Sequence, residues 1–447
     1  MTDLQSVLLT DLYQLTMLQG YWREGMNDNA VFELFVRKFP PNRNFLIAAG
    51  LEQALDYLEN LRFTEEECNF LQGTGFFDSE FIDWLAQLTF TGDVDAMPEG
   101  TVFFPDEPIL RVTAPLPQAQ LVETRLINLL QFQTLIASKA ARCVLAAPGK
   151  LLVDFGLRRA HGSEAGLLAA RAAYLAGFTG TSNVLAGMEF SIPIFGTMAH
   201  SYIMAHDDEL EAFRAFAHAQ PNNVVLLIDT YDTLKAVDKV IALAEELKRE
   251  NITIKAVRID SGDLAALAKQ VRQKLDHAGL DQIGIFASGD LDEYALKRFT
   301  HDNIPIGGFG IGTKLTTSND VPYLNCAYKL QEYASIARRK VSKGKQTWPG
   351  RKQVYRRYDA SGKIEKDIIT LMNDPQEGEA LLQPVMKNGK RLQTPESLGA
   401  IRERTAYNLE ALPSGLQTLD QTTQYPVEIS PCLIRLTQEI DKKIGLR

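Results

Sequence analysis

The sequence predicts an α/β protein whose centre is a parallel (β/α) barrel, and three observations lead to this fold class. First, six nearly continuous apolar runs of the β type occur between residues 150 and 312. Second, these runs end 23 to 40 residues apart, which is the length of a strand, a helix and two loops. Third, the segments between the runs repeat apolar residues at helical spacing, as amphipathic helices that cover a sheet do.

The six predicted strands are apolar throughout instead of alternating, so both faces of their sheet are expected to be buried, as in parallel sheets. They are KLLVDFG (150–156), IPIFG (192–196), NVVLLID (223–229), IKAVRID (254–260), IGIFASG (283–289) and IGGFGIG (306–312). No GxGxxG pattern follows the first run, and polar residues follow almost every run. A closed or nearly closed barrel is therefore favoured over an open doubly wound sheet.

Two of the helices between these strands have a clear apolar stripe. The first stripe consists of Leu234, Val237, Ile241 and Ala244, and the second of Leu264, Leu267, Val271 and Leu275. Outside the barrel the pattern changes. Residues 1–60 have a mostly helical pattern, whereas residues 89–116 are divided by Gly and Pro into short strands.

Composition restricts the class of protein. With 447 residues, the chain is longer than one hydrophobic core usually supports, so at least two domains are expected. Hydrophobic residues make up 45 % and charged residues 23 %, as in ordinary soluble proteins, and no run approaches the roughly 18 apolar residues of a membrane span. The N-terminus lacks the basic region of a signal peptide, and the four cysteines form no CxxC pair. We therefore expect a cytoplasmic protein with reduced thiols.

The formal net charge of −9 argues against non-specific binding of nucleic acid or of anionic membranes. One segment has the opposite charge, because residues 338–358 contain nine basic residues and no acidic residue. The run is short and contains Gly-Lys and Pro-Gly turn signals, so we interpret it as a loop or hairpin. A solvated face or an active-site rim is the favoured role, ahead of nucleic-acid binding.

Polar and small residues follow the ends of the predicted strands, where the loops of a parallel barrel converge on one mouth. In order, these ends are DFGLRRAHG, FGTMAHS, IDTYD, RIDSGD, ASGDLDE and GFGIGTKL. Glycines that expose backbone N–H groups, arginines and aspartates are the residue types needed to hold a phosphorylated sugar. The strand ends therefore predict a phosphate-binding site at this mouth.

Several residues at the mouth have a structural interpretation beside the functional one. The glycine-rich strand ends, at 288–289 and 308–312, fit phosphate binding and equally fit tight packing of a strand against a helix. Asp260 ends a strand and is expected to point into the mouth on the same side as Arg258, whereas Asp263 fits the first turn of the next helix.

Aromatic and basic residues next to the first strand end also leave two interpretations open. Phe155 fits either the core or stacking on a flat substrate ring. Of Arg158 and Arg159, one could bind a phosphate or pyrophosphate while the other forms a structural ion pair.

Five motifs occur in order over nearly the whole chain: TDLYQLTM, EFSIPIFGTMAHS, VRIDSGD, GFGIGTKL and PGRKQVYR. Together they resemble nicotinate phosphoribosyltransferase. The resemblance implies an irregular α/β barrel and an open-faced α+β domain built from the N-terminal and C-terminal segments. It divides the chain into an N-terminal helical and β-rich part (1–120), the barrel with the active site (121–330) and a C-terminal segment (331–447), whose basic loop and helices pack back on the N-terminal part.

The resemblance implies transfer of the 5-phosphoribosyl group from phosphoribosyl pyrophosphate to nicotinate in NAD salvage, coupled to ATP hydrolysis. Mg²⁺, bridged through the pyrophosphate, is the implied cofactor, and ATP is a co-substrate. Asp260 would stabilise the ribosyl cation, with Arg158 as a further catalytic group. The implied substrate-binding residues also include Phe155, Thr197, Ser201, Asp229, Arg258, Ser261, Gly262, Ser288, Gly289, Asp290, Gly310, Gly312 and Thr313.

His200 of the GTMAHS motif is, by the same resemblance, the residue that ATP phosphorylates. A neutral imidazole is a competent phosphoryl acceptor near pH 7, and the small residues Gly196, Thr197 and Ala199 leave room for the donor. Without the resemblance, a hydrogen-bonded core side chain would be the preferred interpretation of a lone histidine. The other histidines keep that interpretation; they are His161, His206, His218, His277 and His301.

The resemblance also implies a homodimer with shared active sites, because the pyridine ring would lie between Phe155 and Tyr13 of the partner chain. Nicotinamide-specific relatives have an acidic residue at the position of Ser182. A carboxylate there would repel the carboxylate of nicotinate, so the serine favours nicotinate over nicotinamide. Quinolinate, with a second carboxylate, would need further cations.

Two competing functions differ in class from the transferase. The first is a sugar-phosphate aldolase or isomerase in which Lys314 forms a Schiff base, which would require a partner that lowers its pKa. The second is a binding or regulatory protein that keeps the site without turnover, and the complete set of strand-end residues argues against it.

Overall fold

A computed structural model of the chain describes residues 6–420 and 423–445. They form two compact units. The central unit is Lys139–Pro322, and the terminal unit combines the described residues of Met1–Ser138 and Tyr323–Arg447.

The helices are α1 (Leu12–Arg23), α2 (Leu51–Glu59), α3 (Glu65–Thr74), α4 (Ser79–Leu85), α5 (Leu116–Leu121), α6 (Glu123–Ala146), α7 (Ser163–Leu175), α8 (Val184–Phe190), α9 (His200–Met204), α10 (Glu209–Ala219), α11 (Thr233–Arg249), α12 (Leu264–His277), α13 (Glu293–His301), α14 (Thr313–Thr316), α15 (Leu398–Ala411) and α16 (Pro431–Lys443).

The strands are β1 (Asn29–Val36), β2 (Leu46–Ile47), β3 (Asp93–Ala96), β4 (Val102–Phe103), β5 (Pro108–Pro115), β6 (Leu151–Asp154), β7 (Gly180–Thr181), β8 (Val224–Leu227), β9 (Ile254–Ile259), β10 (Gly284–Ser288), β11 (Gly308–Ile311), β12 (Cys326–Tyr333), β13 (Ile336–Ala337), β14 (Lys352–Tyr358), β15 (Ile364–Leu371), β16 (Glu379–Ala380), β17 (Gln383–Lys387), β18 (Lys390–Arg391) and β19 (Val427–Ile429).

The central unit contains one parallel sheet with the strand order β7-β6-β11-β10-β9-β8. The predicted α/β class and parallel sheet are confirmed, and five of the six predicted runs form strands of this sheet. The prediction of a closed or nearly closed barrel is wrong in its closure. The strand order has free ends at β7 and β8, so the sheet is open and only partly curled.

The run 192–196 explains the missing closure. Its backbone is irregular apart from a single bridge between Ile194 and Thr181. Pro193 has no N–H to continue a ladder, and the two-residue strand β7 occupies the edge instead. On its other side, the carbonyl of Gly196 accepts a hydrogen bond of 3.2 Å from Asn223 Nδ2, just before β8. This irregular segment therefore contacts both edges of the sheet without completing it.

The helices α11 and α12 cover the sheet as their apolar stripes predict, and each begins at an aspartate cap. Asp263, expected in the first turn of α12, is its N-cap and accepts hydrogen bonds from the N–H groups of Ala265 and Ala266. In α12 the predicted stripe is buried except for the half-buried Leu267, whereas in α11 only Val237 of the predicted four is fully buried. The buried face of α11 is instead centred on Ala236, Val240, Leu243 and Leu247.

The terminal unit contains mainly antiparallel sheets. A seven-stranded sheet has the order β13-β12-β1-β5-β3-β17-β18, and a four-stranded sheet the order β16-β14-β15-β19. The short strands predicted for residues 89–116 are confirmed as β3, β4 and β5. The helical pattern predicted for residues 1–60 is wrong at β1, a strand buried along almost its whole length because it pairs with β5 and β12 on either side.

Of the basic segment 338–358, residues 338–351 lie between β13 and β14 without regular structure, as predicted for a loop, whereas residues 352–358 form the strand β14, which pairs with β15 and β16. All four cysteines are free thiols. Over the described ranges, the helices are all too short or too polar to span a lipid bilayer.

Candidate active site

Arg258 lies at the centre of a polar cluster at the C-terminal ends of the central strands. Its Nε donates to Ser288 Oγ at 2.8 Å, and its Nη2 donates to Asp260 Oδ1 at 2.7 Å. Its Nη1 donates to Thr197 Oγ1 at 3.0 Å and to the carbonyl of Met198 at 3.3 Å. The guanidinium thus joins the ends of β9 and β10 to the irregular segment before His200. Arg258 and Asp260 share one side of β9, as the alternation along the strand predicts.

Asp260 is ionised and has one carboxylate oxygen available. Its Oδ1 accepts hydrogen bonds from Arg258 and from Ser288 Oγ, whereas its Oδ2 lies 3.9 Å from His200 Nε2. Burial alone would raise the pKa of Asp260, but the hydrogen bonds from Ser288 and Arg258 lower it below the ordinary value. A carboxylate held in this way can stabilise a positive charge that develops nearby.

His200 is the first residue of α9, and its side chain is 40 % exposed. Its Nδ1 lies 3.1 Å from the hydroxyl of Thr230, and its Nε2 faces Asp260. The imidazole is therefore oriented by two polar neighbours at an accessible position. Thr230 was not among the predicted site residues, although it lies inside the strand end IDTYD, next to Asp229.

Asp229 supports the turn that follows β9. Its Oδ2 accepts hydrogen bonds from the N–H of Asp260 at 2.9 Å and from Ser261 Oγ at 2.6 Å. Gly262 in this turn has φ of +79°. The Oδ1 atom of Asp229 is buried and has no hydrogen-bond partner among the described residues.

Phe155 is half-buried at the end of β6. Its ring lies 5.5 Å from the guanidinium of Arg258 and 5.9 Å from the ring of Phe286. A Cβ atom at Gly310 would lie 2.4 Å from this ring, and a Cβ at Gly289, where φ is +102°, would lie 2.0 Å from the carbonyl oxygen of Asp260. Tight packing therefore requires glycine at both positions. Phosphate binding at the same strand ends stays a prediction.

A buried carboxylate that the sequence analysis missed lies beneath this region. Asp154 accepts hydrogen bonds of 2.8 Å from the N–H of Gly156 and from Thr181 Oγ1, and burial raises its pKa against these bonds. The N–H of Ser182 donates to the backbone carbonyl of Asp154 at 2.8 Å. Asp154 thereby connects the turn after Phe155 with the strand end that carries Ser182. In the sequence, only the position of Asp154 within DFGLRRAHG indicates that it lies near the site.

Lys314 follows the end of β11, and its ammonium group forms ion pairs with two aspartates. Its Nζ lies 3.1 Å from Asp290 Oδ2 and 3.3 Å from Asp292 Oδ2. Burial would lower the pKa of Lys314, but the two aspartates raise it above the ordinary value. A Schiff-base lysine needs the opposite shift, so this geometry argues against the aldolase or isomerase. Gly312 precedes the short helix α14, which begins at the exposed Thr313.

Three predicted site residues lie at the surface of their own units. Arg158 and Ser201 are exposed, and their side chains form no hydrogen bond or ion pair within the described residues. Tyr13 lies on α1 of the terminal unit and is 48 % exposed. Their roles stay predictions.

Four of the remaining histidines are hydrogen-bonded, although they lie near the surface and not in the core. Their partners are the carbonyl of Tyr202 for His206, Glu250 for His218, the carbonyl of Gln273 for His277 and Asp302 for His301. His161 is exposed.

The side chains of the cluster match the ligands that Mg²⁺ prefers only in part. Across residues 6–420 and 423–445, no group of three or more His, Cys, Asp or Glu side chains could hold a metal ion by itself. Within the part of the chain that the structure describes, however, Asp229 Oδ1 and Asp260 Oδ2 accept no hydrogen bond. Mg²⁺ is commonly held by one or two carboxylates together with substrate phosphates, and these two oxygens fit that arrangement.

Comparison with protein families gives three matches along the chain. Residues 8–131 match the nicotinate phosphoribosyltransferase N-terminal domain, residues 151–353 the nicotinate phosphoribosyltransferase family and residues 374–437 the nicotinate phosphoribosyltransferase C-terminal domain. These matches cover most of the sequence.

Individual relatives have the same name. The chain is 48 % identical over 429 residues to nicotinate phosphoribosyltransferase pncB2 of Mycobacterium tuberculosis, covering 96 % of this chain and 92 % of that protein. It is 41 % identical over 376 residues to a nicotinate phosphoribosyltransferase of Bacillus subtilis, covering 82 % and 76 % of the two chains.

The fold is also similar to solved structures. The human nicotinic acid phosphoribosyltransferase crystal structure has a TM-score of 0.87 at 29 % identity, with 96 % of this chain and 99 % of that chain covered. Nicotinate-nucleotide pyrophosphorylase from Pyrococcus furiosus has a TM-score of 0.76 at 24 % identity, covering 92 % and 97 %, and shows the fold alone. The resemblance inferred from the five sequence motifs is confirmed.

Proposed function

The chain belongs to the nicotinate phosphoribosyltransferase family, and we propose that it transfers the 5-phosphoribosyl group of phosphoribosyl pyrophosphate to the ring nitrogen of nicotinate. The products are nicotinate mononucleotide and pyrophosphate. The observation that carries the proposal is the cluster of Arg258, Asp260 and His200, which combines an ionised carboxylate, a fixed cation and an accessible imidazole at the strand ends.

In this reaction the bond from the anomeric carbon to pyrophosphate breaks, and a bond to the pyridine nitrogen forms. Positive charge develops on the ribosyl ring as the pyrophosphate leaves. Asp260 Oδ2 is the open oxygen of a carboxylate that Arg258 and Ser288 hold in place, so it supplies a preorganised counter-charge. Phe155 would stack on the pyridine ring, with its own ring oriented by Arg258 and Phe286.

The phosphates require donors that the strand ends supply. The N–H groups at Ser288, Gly289, Gly310 and Gly312 and the exposed Arg158 would bind the 5-phosphate and the pyrophosphate. Asp229, whose Oδ1 accepts no hydrogen bond within the described residues, would hold Mg²⁺ together with these phosphates. A bound Mg²⁺ would neutralise the negative charge on the pyrophosphate as it leaves.

The finer parts of the proposal are ATP coupling and the partner chain. His200 would accept the γ-phosphoryl group of ATP, so that an N–P bond forms, the Pγ–O bond breaks and ADP leaves. The hydroxyl of Thr230 supports this role because it orients the ring at Nδ1. Tyr13 of a second copy would cover the pyridine ring in a homodimer, and the exposure of its side chain leaves it available.

A pyrophosphate-release assay tests the function. It uses phosphoribosyl pyrophosphate with nicotinate, nicotinamide or quinolinate, each with and without Mg-ATP. Turnover with nicotinate that rises with ATP supports the proposal in full. Turnover with nicotinamide alone would contradict the argument from Ser182, and no turnover with any of the three would contradict the transferase.

His200→Asn separates the transfer from the coupling. We expect weak phosphoribosyl transfer to persist and its stimulation by ATP to disappear, because the amide cannot form a phosphoenzyme. Full ATP stimulation of the variant would exclude the phosphohistidine role while leaving the transferase intact.

A further inference from the structure

Two residues of the candidate site lie at the ends of neighbouring strands of the central unit. Phe155 follows β6, and Ser182 follows β7. We propose that Asp154 and Thr181, the last residues of these two strands, are positioning residues that set the spacing between Phe155 and Ser182 and thereby the affinity for nicotinate. This inference rests on the proposed function, in which Phe155 stacks on the pyridine ring and Ser182 faces its carboxylate.

The strand β7 is held by a short ladder. It consists of Gly180 and Thr181, and it pairs with β6 so that Thr181 lies opposite Asp154. On its other side, one isolated bridge joins Thr181 to Ile194 among the described residues. Because so short a ladder contributes few backbone hydrogen bonds, the position of Ser182 depends also on side-chain contacts between β7 and β6.

The carboxylate of Asp154 makes the first of these contacts. Its Oδ2 accepts a hydrogen bond of 2.8 Å from Thr181 Oγ1, and its Oδ1 accepts one of 2.8 Å from the N–H of Gly156. The turn at Gly156 is tightly packed, because a Cβ there would lie 2.6 Å from the Cβ of Thr316. Asp154 thus links β7 to a fixed turn directly after Phe155.

The hydroxyl of Thr181 extends the link past Ser182. While it donates its proton to Asp154, its oxygen accepts a hydrogen bond of 3.0 Å from the N–H of Asn183. Asn183 in turn caps α8, because its Oδ1 accepts a hydrogen bond of 3.2 Å from the N–H of Ala186. Ser182 therefore lies between two backbone positions that hydrogen bonds hold in place.

Burial limits Asp154 and Thr181 to an indirect role. They are 2 % and 0 % exposed, so neither side chain can touch a substrate, and water cannot replace a hydrogen bond that they lose. Phe155 and Ser182 are half-buried, and the hydroxyl of Ser182 forms no hydrogen bond within the described residues. An effect of the buried residues on nicotinate must therefore pass through the two residues that they position.

Thr181→Val tests this role in steady-state pyrophosphate release, with nicotinate and phosphoribosyl pyrophosphate varied in turn. Valine keeps the shape of the side chain and removes the hydroxyl. The KM for nicotinate should rise about tenfold, the equivalent of one hydrogen bond to a charged group. Both kcat and the KM for phosphoribosyl pyrophosphate should stay within about twofold of the wild type. Thr181→Ser retains the hydroxyl and should keep the KM for nicotinate within about twofold.

Two further variants separate positioning from damage to the fold. Thr179→Val makes the same chemical change just before β7, where the hydroxyl accepts a hydrogen bond of 3.4 Å from the N–H of Leu152, and should leave the KM for nicotinate unchanged. Ser182→Ala should raise this KM by itself. Adding Thr181→Val should then raise it by less than about twofold, because the group that Thr181 positions has been removed.

The outcomes are distinguishable from those of the proposed function. Pyrophosphate release by the wild type with nicotinate tests the function, and its absence would overturn both proposals. With an active wild type, the positioning role alone is overturned if Thr181→Val leaves the KM for nicotinate unchanged, raises both KM values equally or has the same effect as Thr179→Val. Effects of Thr181→Val and Ser182→Ala that multiply would also overturn it.

Discussion

Two arginine–aspartate pairs, one in each unit, have nearly the same closest N–O distance but different surroundings. The closest N–O distance is 2.7 Å between Arg258 and Asp260 and 2.6 Å between Arg356 and Asp367. The side chains of the first pair are 15 % and 27 % exposed, whereas both side chains of the second are fully buried. The N–O distance therefore does not distinguish the two pairs, whereas the exposure of their side chains does.

The difference lies in what the second carboxylate oxygen contacts. Both oxygens of Asp367 are used by protein donors, since Arg356 binds each of them and the hydroxyl of Tyr425 adds a third hydrogen bond. Burial and the charge of Asp367 together raise the pKa of the neighbouring Glu107. In the first pair, Asp260 Oδ2 faces His200 and solvent-accessible space. A pair with an open oxygen can interact with a substrate, and a closed pair can only hold the fold.

Asp367→Asn should produce the largest effect on stability. It removes the hydrogen-bonded counter-charge of the buried Arg356 guanidinium, and breaking a buried ion pair typically costs about 3–5 kcal/mol of unfolding free energy. Urea denaturation followed by circular dichroism measures the loss. Activity per folded molecule should be unchanged, and a loss of activity without a loss of stability would break the comparison.

Asp260→Asn should produce the largest effect on catalysis with a small effect on folding. We expect kcat/KM for phosphoribosyl transfer to fall about 10²-fold to 10³-fold, the usual cost of removing one preorganised electrostatic group. Steady-state pyrophosphate release measures it, and Asp263→Asn, at the adjacent helix cap, is the matched control.

The pH dependence of the same pair sharpens this prediction. Although burial opposes it, the hydrogen bonds from Ser288 and Arg258 lower the pKa of Asp260, so the carboxylate stabilises the fold above the unfolded value of about 3.9. That contribution is lost as the pH falls through the lower, folded value. The stability difference between wild type and Asp260→Asn should therefore be constant from pH 5 to 8 and shrink only below about pH 4.

Gly289→Ala tests whether packing positions Asp260. The new Cβ would lie 2.0 Å from the carbonyl of Asp260, at a φ of +102° that alanine disfavours. We expect about 1–3 kcal/mol of destabilisation from the strained backbone. The KM for phosphoribosyl pyrophosphate should also rise as the strand ends separate. Gly284→Ala at the start of β10, where a Cβ meets nothing closer than 3.5 Å, should change both values less.

Thr230→Val should produce the smallest of these effects. It removes the hydroxyl 3.1 Å from His200 Nδ1 while keeping the side-chain shape, so ATP stimulation should fall about fivefold, the equivalent of one neutral hydrogen bond. Thr230→Ser retains the hydroxyl and should restore the stimulation. If both variants behave alike, the hydroxyl does not orient the imidazole.

Much of the fold follows from local pattern. Strand and helix periods recur along the chain, so five of the six predicted strands and both striped helices could be predicted without knowledge of contacts. The run 192–196 could not, because IPIFG has the composition of a strand, and only its position against Thr181 and Asn223 shows that it remains irregular. The strand β1 could not be predicted either, because the sequence of residues 1–60 has a mostly helical pattern.

The sequence predicted which residues form the site but did not predict how they contact one another. The strand-end motifs contain His200, Asp260, Arg258 and Ser288, which the structure brings into one cluster. Thr230 and Asp154 lie in the same motifs but carry no distinctive spacing, so their roles emerge only from hydrogen bonds to residues of neighbouring strands.

The sequence by itself determined the parallel order of strands and helices, the family and the chemical groups at the strand ends, because periodicity and residue type are local properties of the chain. The tertiary structure alone decided that the sheet stays open and that Arg258 joins three segments. It also decided that Asp260 has a carboxylate oxygen open to a substrate, whereas both carboxylate oxygens of Asp367 are hydrogen-bonded. These properties depend on which atoms exclude water from a group, and residues far apart in the chain supply those atoms.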